Sequence, residues 1–258
     1  MTRLFLVPVL VVIGYAAARI WAPDDDIALW VHRIAPAIAE IIGALGCFAA
    51  AMKFAAGDYL RRAWSLAGFG YLLLAGGALQ GTAVAEGVPL TRAFLTIFAN
   101  VAGVGAYLLF ARTWRVAGLE DGDDARRRRR WLFASVVLAL ILAGPSLGLG
   151  TYAVIGGEPG FGLTVFFGAL GDAVGLAIIA PVAMNAVALR GGRLAWPWGL
   201  MTASLICWLL FSAQSLVAII GGLERDYTWM HAGAEVFRLL ACTLLFCAAM
   251  FQRQAMSD

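Results

Sequence analysis

Four apolar segments of the chain each carry one acid or amide at a similar depth: Glu40, Asn100, Asp172 and Glu235. An ionisable side chain inside a membrane span costs free energy, so each is a candidate functional residue. Carboxylates accept a proton or a cation, and amides orient a polar solute by hydrogen bonding. These residue types therefore predict a pocket that binds a small polar or cationic ligand.

Each of these residues belongs to a stripe of polar and small residues that recurs every three or four positions. This spacing is the repeat of one face of an α-helix. Because polar groups facing lipid are costly, we expect the stripes to face protein or a cavity. The stripes are His32, Pro36, Glu40, Gly43 and Cys47; Arg92, Thr96, Asn100, Gly103 and Tyr107; Thr164, Gly168, Asp172 and Gly175; and His231, Glu235, Arg238 and Cys242.

Counting residues from the ends of the spans places the candidates in one half of the bilayer. At 1.5 Å per residue, Glu40, Asn100 and Asp172 lie roughly 15 Å inside their spans. Two glutamines and an arginine extend the set. The predicted ligand-binding residues are Glu40, Gln80, Asn100, Asp172, Gln214, Glu235 and Arg238.

A purely structural interpretation of these polar residues is also open. Glu235 and Arg238 are spaced to neutralise each other, and Gln80 and Gln214 are able to hydrogen bond between helices. In contrast, Glu40 and Asp172 have no cationic neighbour within their own helices. Arginines from other spans, protonation of one carboxylate, or a cationic ligand would each resolve that imbalance.

Composition indicates what kind of protein positions these residues. Of 258 residues, 62% are hydrophobic and 14% are charged, whereas soluble domains carry about 25% charged residues. We predict an all-α integral membrane protein in which residues 1–258 form a single transmembrane domain, with no soluble domain within them. The eight predicted transmembrane helices span 4–21, 30–54, 63–84, 90–113, 131–153, 161–189, 196–220 and 229–251.

The distribution of charge predicts the orientation. Basic residues, including the run from Arg126 to Arg130, fall in segments that would share one side of the membrane. The positive-inside rule then places both termini in the cytoplasm of a bacterial inner membrane. We interpret the arginine run as a topology anchor, so the expected partners are the lipid bilayer and a small molecule, with no nucleic acid. A homo-oligomer or a partner membrane subunit is left open.

The two halves of the chain resemble each other. Trp64 and Trp198 are separated by the same interval as Gln80 and Gln214. The pairs Glu40 with Asp172, and Asn100 with Glu235, follow at nearly that interval. We therefore predict two parallel four-helix repeats, residues 1–125 and 126–258, related by a pseudo-two-fold axis along the membrane normal.

Several function classes fit this plan. A secondary transporter or permease is favoured, because a polar site between two repeats is the general transporter arrangement. A sensor or receptor module that signals through a separate partner is the alternative, because the other half of the bundle has few polar residues. No cofactor is predicted. As a redox alternative, His32 and His231 would bind haem b or a metal, and His231, Glu235 and Arg238 would form a quinone site.

Enzymatic activity is disfavoured, and we predict no catalytic residues. No GxSxG or HExxH motif occurs in the chain. Two histidines near Glu40, Asp172 and Glu235 would be the only basis for an intramembrane metalloenzyme. Lys53 is the sole lysine and lies at the end of a span, which excludes a retinal Schiff base in mid-membrane.

Overall fold

The computed structural model describes residues 2–22, 25–80, 88–116, 125–188, 195–220 and 229–256. These residues form eight α-helices, preceded by one short 3-10 turn at Thr2–Phe5. The helices are α1 (Leu6–Ile20), α2 (Asp25–Ala51), α3 (Tyr59–Leu79), α4 (Leu90–Val116), α5 (Ala125–Ile155), α6 (Pro159–Ala188), α7 (Ala195–Ile220) and α8 (Trp229–Ala255). The predicted all-α class is confirmed.

The helix ends lie within a few residues of the predicted ones, for local reasons. Asp58 caps α3 by accepting a hydrogen bond from the Leu60 amide at 3.0 Å, which satisfies one orphan donor of the first turn. Gly57 and Gly157 turn the chain before α3 and α6 with φ of 98° and 92°, a conformation that favours glycine. The α5 helix begins at Ala125, six residues before the predicted start, and includes the whole arginine run, because arginine is a good helix former.

Six of these helices, α2 and α4 to α8, are long and apolar enough to cross a membrane. Their outward faces are apolar as well: Phe94, Phe98 and Val101 of α4 and Phe133 and Ile141 of α5 are each more than half exposed. Apolar surface of this extent is unusual for a soluble monomer. The fold is therefore consistent with a multi-pass helical membrane protein. The α1 helix has 15 residues, about 22 Å of helix, and is shorter than a bilayer core.

Contacts between helices run around a ring in the order α2, α3, α4, α6, α7 and α8, and α8 packs back against α2. The remaining two helices lie outside this ring. The α1 helix packs on α8 and α2, and α5 packs on α6 and α7. The ring therefore encloses the centre of the bundle, where the polar stripes of α2, α4, α6 and α8 meet.

Two helix pairs in the ring run parallel at close range. Between α2 and α8, Glu40 meets Arg238, and a Cβ on Gly43 would lie 3.2 Å from the Cys242 carbonyl oxygen. Between α4 and α6, the side chain of Asn100 lies directly against the Gly171 backbone. Glycine permits these approaches because it has no side chain to separate the two backbones.

Aromatic side chains fill the ring at the end where α3 and α7 begin. Trp64 of α3 contacts Phe110 of α4 edge-on at 4.8 Å between ring centroids, and Phe110 contacts Trp198 of α7 at 5.7 Å. Trp114 adds a further edge contact to Trp198 at 5.6 Å. All four rings are buried, so this aromatic cluster closes one end of the bundle with apolar packing.

Candidate functional site

A cavity of about 830 Å³ occupies the ring in the half where α2, α4, α6 and α8 begin. Its wall reaches the exposed residues Glu158 and Pro159 at the turn between α5 and α6, so the cavity extends to the surface there. Its volume suits a small-molecule site. The polar and aromatic residues that line it include His32, Arg33, Arg92, Thr96, Asn100, Tyr107, Ser146, Asp172, Trp208, Glu235 and Arg238.

A buried ion pair connects α2 and α8 beside the cavity. The Arg238 guanidinium donates from Nε and Nη2 to the same Glu40 oxygen, Oε1, at 3.0 and 2.7 Å. Glu40 is fully buried behind Arg238, and its second oxygen, Oε2, is buried and has no hydrogen-bond partner among the described residues. Arg238, in contrast, lies on the cavity wall. The guanidinium therefore separates Glu40 from the cavity.

Glu235 forms the second carboxylate of this cluster. Its Oε1 lies 3.6 Å from Nη1 of Arg238 and 3.9 Å from Nε2 of His32. Its Oε2 is buried and has no hydrogen-bond partner in the part of the chain that the structure describes. Arg92 of α4 interacts electrostatically with this cluster, although its guanidinium forms no hydrogen bond or ion pair with any residue that the structure describes. Two carboxylates and two guanidinium groups therefore balance in charge at this level.

Two aromatic rings of α7 also lie close to the Arg238 guanidinium. The guanidinium carbon lies 5.6 Å from the ring centroid of Phe211 and 5.9 Å from that of Trp208, within the range of cation–π attraction. Trp208 is itself fixed, because its Nε1 donates to the Tyr71 hydroxyl at 2.9 Å. Arg238 is thus placed by two carboxylates and two aromatic rings.

Asp172 lies deeper in the cavity and has no such partner. Within the described part of the chain, its carboxylate forms no hydrogen bond and no ion pair, and no cationic side chain interacts with it electrostatically. Two polar residues of α4 pack against the residues that flank Asp172 on α6. Asn100 packs on Gly171, and the Tyr107 ring packs on Gly175, where a Cβ would lie 2.7 Å from the ring.

The structure brings five of the seven predicted site residues to the cavity or to its wall. Asn100, Asp172, Glu235 and Arg238 line the cavity, and Glu40 lies directly behind Arg238. The two glutamines are placed elsewhere. Gln80 is exposed at the end of α3, where its Oε1 accepts from the Thr91 hydroxyl at 2.8 Å, and Gln214 packs its Nε2 against Gly233.

Among the residues of the cavity wall that were absent from the predicted set are Arg33, Arg92, Tyr107 and Trp208. Arg92 and Tyr107 share the helix stripe of Asn100, and that stripe was the signal for both. Trp208 and Arg33 carried no such signal, because an aromatic or basic residue in a span also fits an interface role. His32, predicted for the haem or metal alternative, lines the cavity.

The haem, quinone and metal alternatives stay predictions. His231 falls in α8, but its side chain is outside the part of the chain that the structure describes. Among the described residues, no group of three or more His, Cys, Asp or Glu side chains is arranged to hold a metal ion.

Comparisons of the chain with models of known protein families, with curated proteins and with solved structures find no match. The geometry of the cavity is therefore the basis on which a function has to be argued.

Proposed function

We propose that this protein is a secondary transporter that binds a small polar or cationic solute in the cavity. In the proposed orientation both termini are cytoplasmic and the cavity opens to the outside of a bacterial inner membrane. One observation carries the proposal: the ring of apolar helices encloses a cavity that reaches the surface at one end and is closed by the aromatic cluster at the other. Two charged side chains that line this cavity, Arg92 and Asp172, form no ion pair with any described residue.

The proposal includes two four-helix repeats, and matched contacts support that duplication. A Cβ on Gly43 of α2 would lie 2.9 Å from the Tyr71 ring of α3 and 3.2 Å from the Cys242 carbonyl of α8. A Cβ on Gly175 of α6 would meet Leu205 of α7 at 3.1 Å and Tyr107 of α4 at 2.7 Å. Under the repeat, α2, α3 and α8 correspond to α6, α7 and α4, so both glycines occupy equivalent niches.

The site then lies between the repeats, as transport by alternating access requires. If α1 to α4 and α5 to α8 are the two units, they meet where α4 packs on α6 and where α8 packs on α2. The first interface holds Asn100 and Asp172, and the second holds Glu40, Glu235 and Arg238. Rocking one unit against the other would change both interfaces around a bound solute.

The aromatic cluster favours a second candidate, a ligand sensor. Trp64, Phe110, Trp114 and Trp198 are at most 6% exposed and fill the bundle below the cavity. For transport this cluster has to open, because the solute must pass it. For a sensor it stays closed and transmits a change of helix packing to a partner protein.

Proteoliposomes separate the two candidates. Purified protein would first be screened by thermal unfolding against zwitterions, monocarboxylates and alkylammonium ions. Each compound that stabilises it would then be tested for uptake. Uptake that is lost in Asp172→Asn and retained in Glu158→Gln supports a transporter, because Glu158 is a carboxylate at the exposed mouth. Stabilisation without uptake would reject transport and leave sensing, and no stabilisation by any compound would reject the ligand site.

A further inference from the structure

The deep end of the cavity contains oxygen atoms that have no hydrogen-bond or ion-pair partner among the described residues. The Asp172 carboxylate faces no cationic side chain among the described residues. In contrast, Glu40 at the other interface is bonded to Arg238 at 2.7 Å. A carboxylate taken out of water either takes up a proton or needs a counter-charge, and Asp172 has no counterpart among the described residues to the positive charge that Glu40 has in Arg238.

Asn100 contributes an acceptor at the same helix interface. Its Nδ2 donates to the Thr96 carbonyl at 2.8 Å, and its Oδ1, which lies against the Gly171 backbone, receives no hydrogen bond from any described residue. The same amide packs on Gly171, the residue before Asp172. An amide oxygen and a carboxylate both carry negative charge, so they repel each other when they lie side by side. That arrangement is favourable only when a donor or a cation lies between them.

Tyr107 contributes a third oxygen. Its ring lies against Gly175, one helical turn after Asp172, and its hydroxyl interacts electrostatically with the Asp172 carboxylate. No hydrogen-bond partner of that hydroxyl occurs among the described residues. Tyr107, Asn100 and Asp172 all line the cavity.

The comparison between repeats identifies what is missing. Asn100 corresponds to Glu235, and three residues further along α4 and α8, Gly103 corresponds to Arg238. At the α2–α8 interface Arg238 neutralises Glu40, whereas at the α4–α6 interface glycine occupies that position beside Asp172. Beside Gly103, the space that corresponds to the arginine side chain belongs to the cavity. A Cβ on Gly103 would meet only the Tyr107 ring, at 3.8 Å.

We propose that Asp172, Asn100 and Tyr107 form a binding site for one monovalent cation, which takes the place that the guanidinium of Arg238 occupies in the other repeat. The chemistry is a single positive charge that accepts oxygen ligands. It comes either from a metal ion such as Na⁺ or from the primary ammonium group of a solute. The inference deepens the proposed function, because it names the charge that the cavity binds.

The ligand set fits a monovalent rather than a divalent cation. The site has one carboxylate, one amide oxygen and one hydroxyl, all hard oxygen donors. Divalent cations are usually bound through more oxygen ligands or through several carboxylates and waters. Room for the cation exists, because Gly168, one turn before Asp172, has nothing within 4 Å of the position of a Cβ.

The test is a binding measurement on the full chain in detergent, without transport. Tryptophan fluorescence is the readout, because Trp208 lies on the cavity wall. NaCl and methylammonium chloride are titrated separately, with N-methyl-D-glucamine chloride at equal ionic strength as the salt control. We expect a saturable change with at least one cation and none with the control.

Variants assign the binding to the site. Asp172→Asn removes the charge-assisted contact and should weaken the apparent Kd by about tenfold or more. Tyr107→Phe should weaken it by a smaller factor. Asp58→Asn, at an exposed position that does not line the cavity, keeps an N-cap residue before α3 and should leave the binding unchanged. Gly103→Arg restores the missing side chain beside Asp172, so it should abolish cation binding even if Asp172→Asn fails to fold.

The outcomes are distinct from those of the transport test. Saturation by Na⁺ alone supports a metal ion at the site, and saturation by methylammonium alone supports the ammonium group of a solute. Binding of neither cation, or equal binding by wild type, Asp172→Asn and Gly103→Arg, overturns the cation site. A cation site without solute uptake would overturn the transporter and retain the site.

Discussion

Arg238 on α8 donates two hydrogen bonds to a single oxygen of Glu40 on α2, although Glu235 lies only three residues from Arg238 on its own helix. The inter-helix contact is 2.7 Å, and the contact within the helix is 3.6 Å. The arginine thus connects two helices at the wall of the cavity. Each interaction in this cluster leads to a different experiment.

Removing Glu40 should destabilise the protein more than removing Asp172 does. Loss of one partner from a buried ion pair costs about 3–5 kcal/mol, because the other charge stays buried and unpaired. Glu40→Ala leaves Arg238 with only the longer contact to Glu235, at 3.6 Å, whereas Asp172→Asn breaks no hydrogen bond or ion pair with a described residue. Denaturant-induced unfolding in detergent gives both free energies of unfolding.

A double-mutant cycle checks the physical reason. Glu40→Ala combined with Arg238→Ala should cost less than the sum of the two single changes, because neither charge is then left alone. Additive costs would show that the pair contributes no coupling. Glu158→Gln, at an exposed position, serves as the control and should change stability little.

Close packing between α4 and α6 should make Gly171 intolerant of a side chain. Gly171→Ala places a methyl group against the Asn100 side chain, which lies directly on the glycine backbone. Overpacking of this kind costs about 1–3 kcal/mol. Gly168→Ala is the matched control on the same helix, because nothing lies within 4 Å of its Cβ position. The midpoints of thermal unfolding should differ in that order, and equal midpoints would contradict the packing.

The hydrogen bond between Trp208 and Tyr71 should contribute measurably to stability. Tyr71→Phe removes the acceptor of the Trp208 Nε1 group and leaves a buried donor unsatisfied, at a cost of about 1–3 kcal/mol. Tyr152→Phe, at a ring that is 75% exposed, is the control and should be nearly neutral. Denaturation in detergent measures both, and an equal effect at the two sites would argue against the bond.

Cysteine labelling in intact bacterial cells tests the orientation. Glu158→Cys is at the cavity mouth and Arg62→Cys is at the start of α3, and both positions are exposed. With cytoplasmic termini, an impermeant maleimide should label Glu158→Cys in intact cells and Arg62→Cys only after permeabilisation. The wild-type protein is the background control, because Cys47, Cys242 and Cys247 are buried and Cys207 is partly exposed. The reverse pattern would invert the topology and turn the cavity toward the cytoplasm.

Local properties of the sequence were sufficient for the helices and for much of the site. Helix positions follow from runs of apolar residues and from breakers such as Gly57 and Gly157, which act over a few neighbouring residues. Stripes at helical spacing placed Asn100, Asp172, Glu235 and Arg238 on inward faces for the same reason. Arg92 and Tyr107 share one of those stripes and would follow from applying the rule to each of its members.

Only the tertiary structure decided which of these side chains meet. The spacing in the sequence predicts a contact of Arg238 with Glu235, whereas the shorter contact in the structure is with Glu40. The parallel packing of α2 against α8 decides which carboxylate Arg238 binds more closely. Gln80 and Gln214 are not among the residues that line the cavity, although their equal spacing in the two halves suggested an axial role. Helical periodicity specifies a face of each helix but not its neighbour, because rotation and depth are set by contacts between residues far apart in the chain.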